Sequence, residues 1–220
     1  MEALMLDPQL RSRFMSIGIA GALLAIFAVV GAALVAITHA QTKDRIAENE
    51  RLALLEKLEA LVPASSVDND MIADSIQVHR ADLLGGQTTS IYRGRLKGQP
   101  VAAILTSIAP DGYAGPIKLL VAVDTQGSLL GVRVISHKET PGLGDKIDEG
   151  KSDWIFSFAG KSLSSPSEQD WAVKRDGGSF DYFTGATITP RSVVKMVKNT
   201  LIYVRDQGER IYRPAEEPKP

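Results

Sequence analysis

The chain has 220 residues, with 25 Lys and Arg against 26 Asp and Glu, so a formal net charge of −1 selects neither nucleic acid nor an anionic surface as partner. It holds no cysteine, which excludes disulfides, thiolate metal sites, cysteine-held iron–sulfur clusters and CxxCH haem attachment within it. His39, His79 and His137 stand far apart without HxxxH spacing, so the sequence offers no zinc site either.

The run from Phe14 to Ile37, FMSIGIAGALLAIFAVVGAALVAI, carries no charge. At about 1.5 Å per residue it exceeds a hydrocarbon core of roughly 30 Å, and it is expected to be an uncleaved transmembrane helix over 14–37 after a short N-terminal segment, 1–13. The competing readings are a buried core helix, which is seldom so uniformly apolar, and a signal peptide ending near Thr38-His39-Ala40, whose apolar region is ordinarily shorter. Gly18, Ala22, Ala25, Val29, Ala32 and Ala36 form a helical stripe that either packs on partner helices or reflects alanine-rich composition alone. Arg11 and Arg13 precede the span while Lys43, Arg45, Arg51 and Lys57 follow it, so basic residues leave its orientation open.

After the span, the spacing of Ile46, Leu54, Leu58 and Leu61 predicts an amphipathic stalk helix over 38–63, ended by Pro63. Strand-like runs follow: SIQVHRADLL, SIYRGRLKG, PVAAILTSIA, IKLLVAVD and LLGVRVIS, the last two joined by the turn TQGS around Gly127. Val121, Val123, Leu130, Val132 and Val134 are expected on inner faces. The fold class is α+β: a mostly antiparallel sheet with packed helices, occupying 64–212. Val193, Val197, Leu201 and Val204 give a final helix its apolar face, and RPAEEPKP, over 213–220, reads as a flexible tail.

The stretch DYFTGATITPRSV, residues 181 to 193, sets three threonines at the mouth of that helix. Thr189 is expected as its N-cap and Pro190 as its first residue, so the unpaired backbone N–H groups and the helix dipole face the loop that holds Thr187. That is an anion site suited to phosphate or carboxylate, with Gly185 and Ala186 small enough for close approach and Lys174 and Arg175 shortly upstream. A capped helix after a tight turn, with no ligand, accounts for the same residues on local grounds.

Asp181-Tyr-Phe-Thr184-Gly185-Ala186-Thr187 resembles the D-x-x-[ST]-G-A-T signature of the covalent-FMN-binding domain family. The preceding GG, the following ITP and helix, the upstream hairpin and the run His137-Lys-Glu139-Thr140-Pro141-Gly142-Leu143-Gly144 stand in family order. With its N-terminal span, the chain from there to residue 212 is similar to the G-subunit family of Rnf electron-transport complexes, related to the C subunit of the sodium-pumping NADH:quinone reductase. The resemblance implies FMN esterified through its phosphate to Thr187 by a flavin transferase. Thr184, Gly185 and Ala186 fill the motif, and Asp181 takes the acidic position associated with transferase recognition. Glu139, Thr140 and Leu143 belong to the segment that folds over the flavin, and Lys174 is a neighbouring cation. Trp154 and Trp171 are either ring walls or ordinary core.

The resemblance further implies a single-pass protein of the bacterial inner membrane, its soluble domain periplasmic, whose partners are the other subunits of an Rnf-type complex. That complex couples ferredoxin–NAD electron transfer to sodium or proton movement, and this chain would relay electrons without independent catalytic activity. A membrane-anchored assembly or ligand-binding module without flavin is the alternative. A self-contained flavin reductase is disfavoured because no GxGxxG or Walker motif supplies a second nucleotide site.

Overall fold

The computed structural model describes residues 8–213; the segment 1–7 and the tail over 214–220 lie outside the described residues. The chain divides into two units, residues 1–53 and 54–220. The first is formed by most of helix α1 (Pro8–Glu59), whose apolar part from Ile17 has a mean hydropathy of 2.6 and none of its surface buried. Phe27, Leu24 and Val35 stand open, and such a helix is long and apolar enough to cross a membrane. Where polar residues begin, the Thr38 and Thr42 hydroxyls donate to the carbonyls of Leu34 and Thr38 at 2.8 Å, so they are satisfied within the helix itself. Ile46, expected on the stalk's apolar face, is exposed.

The second unit is a five-stranded antiparallel meander, β1 (Ser75–Val78), β2 (Thr89–Leu96), β3 (Gln99–Ala109), β4 (Ile117–Asp124) and β5 (Leu129–Ser136), in that order across the sheet. Period-two alternation sorts its side chains into two cores. Ala103, Leu105, Val121 and Val123 face helix α3 (Ile188–Gln207), whose Val193, Val197, Leu201 and Val204 are all buried against them. Ala102, Ile104, Leu120 and Ala122 face the other way, onto Leu58, Leu61 and Val62 from the end of α1 and the turn after it. Both faces of β3 and β4 are therefore covered, which is why these strands read as continuous apolar runs.

Two sequence expectations are corrected here. Leu130 is exposed, because Ala122 pairs with Gly131 and Val123 with Leu129, leaving Leu130 as the extra residue of a β-bulge; Leu129 takes the inner position. The run SIQVHRADLL is strand only to Val78, after which Ala81–Leu84 form the short helix α2. Gly85 closes α2 at φ +73°, and a Cβ there would lie 1.8 Å from the Ile108 carbonyl oxygen, so glycine is required.

Between β5 and α3 the chain wraps the sheet end in short 3-10 turns around an aromatic cluster. Phe158 and Phe180 stack at 4.8 Å, Trp171 lies 4.9 Å from Phe180, and Trp154 meets Phe158 and Phe183 edge-on. Both indole N–H groups donate to backbone carbonyls, of Asp181 and Ser162. Both tryptophans thus belong to the core.

The edge strand β5 is engaged at two points: Leu129 exchanges backbone hydrogen bonds of 2.8 Å with Gly160 and Lys161, and Lys57 Nζ donates to the Val134 carbonyl at 2.8 Å. At the opposite side, Asp74 pairs with both Arg93 and Arg95, whose guanidinium groups in turn donate to the carbonyls of Arg213 and Tyr212. The Tyr212 hydroxyl donates to Asp124 O at 3.0 Å, completing a clasp on the chain's last described residues.

Candidate functional site

The loop before α3 turns tightly at Phe183–Ala186. The Ala186 N–H donates to Phe183 O at 3.1 Å, and Gly185 takes φ +87°, the left-handed value that the third residue of a type II turn requires. Thr184 stands exposed at the tip, while Ala186 and Thr187 are half-buried. Helix α3 starts at Ile188, two residues earlier than its sequence implies. Thr187 occupies the N-cap position with no side-chain capping bond, so its hydroxyl is not committed to the helix. The expectation that Thr189 caps is corrected: it is fully buried inside the first turn, and its hydroxyl donates to Glu139 Oε2.

A cavity of about 350 Å³ opens at this helix mouth. Its walls are Tyr113 from the β3–β4 loop, Glu139, Thr140, Leu143 and Gly144 from the segment after β5, and residues 185–189. Tyr113, Leu143 and Ile188 are large, apolar and exposed around it, the character of a ligand-binding surface rather than of solvated loop. A larger cleft, about 840 Å³, lies at the other end of α3 beside Leu201, Val204 and Tyr212. It has no helix mouth, and its Arg95 and Arg205 are engaged with Asp74 and Glu168, so the smaller cavity is the better ligand site.

Of the residues expected at the site, Thr187, Gly185, Ala186, Glu139, Thr140 and Leu143 converge on the cavity. Thr184, Asp181 and Lys174 do not line it. Lys174 Nζ instead meets Asp181 Oδ1 at 2.5 Å, with both side chains mostly in solvent. Tyr113, Ile188 and the buried Thr189 line the cavity without having been expected there from the sequence. Tyr113 sits in a loop bracketed by Gly112 and Gly115, and an aromatic exposed between glycines is the signal that marks it.

Charge at the helix mouth is balanced before any ligand arrives. Arg191, in the first turn of α3, forms a two-pronged pair with Asp176 at 2.5 Å, and its hydrogen bond holds the Asp176 carboxyl below the usual carboxylate range. Beyond the cavity, His137 Nδ1 accepts the Glu139 N–H at 3.0 Å, so its proton resides on Nε2, 2.8 Å from Asp148 Oδ2. This holds the backbone of residues 137–139 in place as it leads into the cavity wall.

A helix N-terminus beside an uncommitted hydroxyl suits a phosphate, and the apolar side chains next to it suit a ring system. These residues therefore suit a flavin nucleotide. In agreement, residues 112–202 match the family model of the FMN-binding domain, and residues 5–61 match that of the RnfG N-terminal region. Residues 112–202 thus form an FMN-binding domain, and FMN is its cofactor.

Three relatives share most of the chain, each named as the G subunit of an ion-translocating oxidoreductase complex. That of Shewanella amazonensis is 48% identical over 196 residues, 88% of this chain and 91% of its own. Those of Pseudomonas aeruginosa (strain UCBPP-PA14) and Vibrio atlanticus are 49% and 46% identical, covering 88% and 87% of this chain and 91% of their own. The chain belongs to the family of Rnf complex G subunits.

Proposed function

We propose that this chain is a membrane-anchored electron carrier of an Rnf-type ion-translocating oxidoreductase, with FMN held covalently through its phosphate on Thr187. One observation carries the attachment: Thr187 lines the cavity at the mouth of α3 with its hydroxyl free of a capping bond. In the attachment step a bond forms between Thr187 Oγ1 and the flavin phosphorus. The hydroxyl proton is lost, and the phosphoanhydride bond of an activated flavin donor on the transferase breaks, its leaving group departing with the electron pair. The resulting diester keeps one negative charge, which the first-turn N–H groups and dipole of α3 stabilise. Tyr113, Leu143 and Ile188 cover the ring, and Gly185 lets the phosphate approach the backbone. Bound FMN supplies one- and two-electron chemistry.

On this reading Asp181, exposed beside the turn, and Thr184 at its tip are presented to the transferase rather than to the flavin. The domain works on the periplasmic face of the inner membrane, with the other Rnf subunits as electron partners. The test is a denaturing gel of the full-length protein made with an active flavin transferase, viewed for flavin fluorescence. Wild type is expected to fluoresce and Thr187→Ala to be dark. A dark wild-type band defeats covalent attachment, and a bright Thr187→Ala band moves it to another residue. Protease accessibility from the outer face of the membrane checks the orientation.

A further inference from the structure

Glu139 is an anomalous wall for a flavin cavity. Its side chain is 4% exposed, yet among the described residues no lysine or arginine pairs with it. Oε1 accepts the Ala114 N–H at 3.0 Å, and Oε2 accepts the Thr189 hydroxyl. The chain also clears space on both sides of the carboxyl group. A Cβ at Gly112 would lie 3.0 Å from Oε1, and one at Gly144 would lie 2.7 Å from Oε2 and 2.9 Å from Thr189 Oγ1. Burying a carboxyl group without a cation is costly, and an apolar residue would fill the same space without that cost. What it gains is connection. Three separate walls of the cavity meet on this one side chain: the loop of Tyr113, the segment of Leu143 and the first turn of α3.

We propose that Glu139 is a positioning residue: through the Thr189 hydroxyl and the Ala114 N–H it fixes the mouth of α3 against both loops. It thereby sets where Thr187 presents the phosphate and how closely the ring is enclosed. The proposal rests on attachment at Thr187. It reassigns Glu139, which hydrogen-bonds the protein's own framework rather than the flavin.

The experiment uses the full-length protein in detergent, made with and without an active flavin transferase, as wild type, Glu139→Ala, Glu139→Gln, Thr189→Val and the double variant Glu139→Ala/Thr189→Val. In the flavin-free proteins, amide hydrogen exchange over residues 188–194 is expected to quicken severalfold in Glu139→Ala and Thr189→Val. It should return toward the wild-type rate in Glu139→Gln, whose amide oxygen accepts from Ala114 and whose NH2 donates to Thr189. In the transferase-treated proteins, covalent flavin yield should fall severalfold in each of the first two and no further in the double variant. Glu139→Gln, which keeps an acceptor for the Ala114 N–H and a partner for the Thr189 hydroxyl, should restore the yield together with the exchange rate, a rescue that follows the two hydrogen bonds. Wild-type exchange rates in both single variants, or yield losses that multiply in the double variant, overturn the brace. A wild type without covalent flavin defeats the attachment reading alone, because the exchange data still decide the brace. Should Glu139→Ala fail to fold, Thr189→Val and Glu139→Gln carry the same comparison.

Discussion

Ser107 on β3 and Thr200 on α3 share a hydrogen bond of 2.8 Å within the apolar layer between sheet and helix. Both are fully buried, and Thr200 also donates to the Met196 carbonyl at 2.9 Å. The two residues are therefore not equivalent. Ser107→Ala leaves Thr200 with a partner, whereas Thr200→Val strands the Ser107 hydroxyl. Urea denaturation of the unit over residues 54–220 should show Thr200→Val as the more damaging by about 1 kcal/mol, the usual penalty of an orphaned buried polar group lying at about 1–3 kcal/mol.

Gly142 and Gly144 should respond to alanine for opposite reasons. Gly142 takes φ +78° with open space around its Cβ position, so Gly142→Ala meets only backbone strain, about 1 kcal/mol. Gly144→Ala meets the Glu139 carboxyl and the Thr189 hydroxyl, an overpacking cost of about 1–3 kcal/mol. Thermal melts rank the two, and only Gly144→Ala is expected to reduce flavin loading along with stability.

The clasp of Asp74 on Arg93 and Arg95 should be the most sensitive charged site away from the cavity. Arg93 is 4% exposed, and Asp74→Ala leaves it buried without a carboxylate partner among the described residues. The expected loss is about 3–5 kcal/mol, read as a fall in the denaturation midpoint without a change in flavin attachment in the protein that remains folded.

Tyr212, in the same clasp, gives a pH signature. Burial, and then the nearby Asp124 charge, push its hydroxyl up to about 12 from an ordinary value near 10. The folded state therefore holds this proton more tightly than the unfolded chain. The stability that goes with it is present in full below about pH 10 and is lost as pH rises toward about 12. Phenolate absorbance and alkaline unfolding, compared with Tyr212→Phe, check this: the Phe variant should lose that part of the alkaline slope.

Around the cavity, Tyr113→Ala and Ile188→Ala should move stability by no more than about 0.5 kcal/mol, since both side chains are exposed. Their effect should appear on the flavin. A collisional quencher of its fluorescence is expected to reach it more readily in either variant, and equal quenching would remove them from the ring's cover.

The sheet is legible in the sequence because β3 and β4, buried on both faces, and the Gly127 turn declare themselves locally. Alternation misplaces Leu130, since a bulge depends on how two strands register and not on either strand's composition. Thr189 is misleading for a related reason. Local preference makes a threonine before proline a good cap, but a carboxyl group 50 positions upstream claims its hydroxyl. The same limit hides Tyr113, which reaches the cavity only through the fold of the β3–β4 loop. The phosphate-receiving loop itself is legible because small residues, a hydroxyl and a helix start are contiguous there.

The bonds that Gly160, Lys161 and Lys57 make to β5 have a consequence for life outside the folded interior. An open sheet margin invites strands from other chains, and such pairing grows into aggregates. Here the outermost strand already commits its backbone at Leu129 and Val134 to its own chain, and a lysine charge sits beside it. A recruited strand would have to displace these bonds before it could pair on that side.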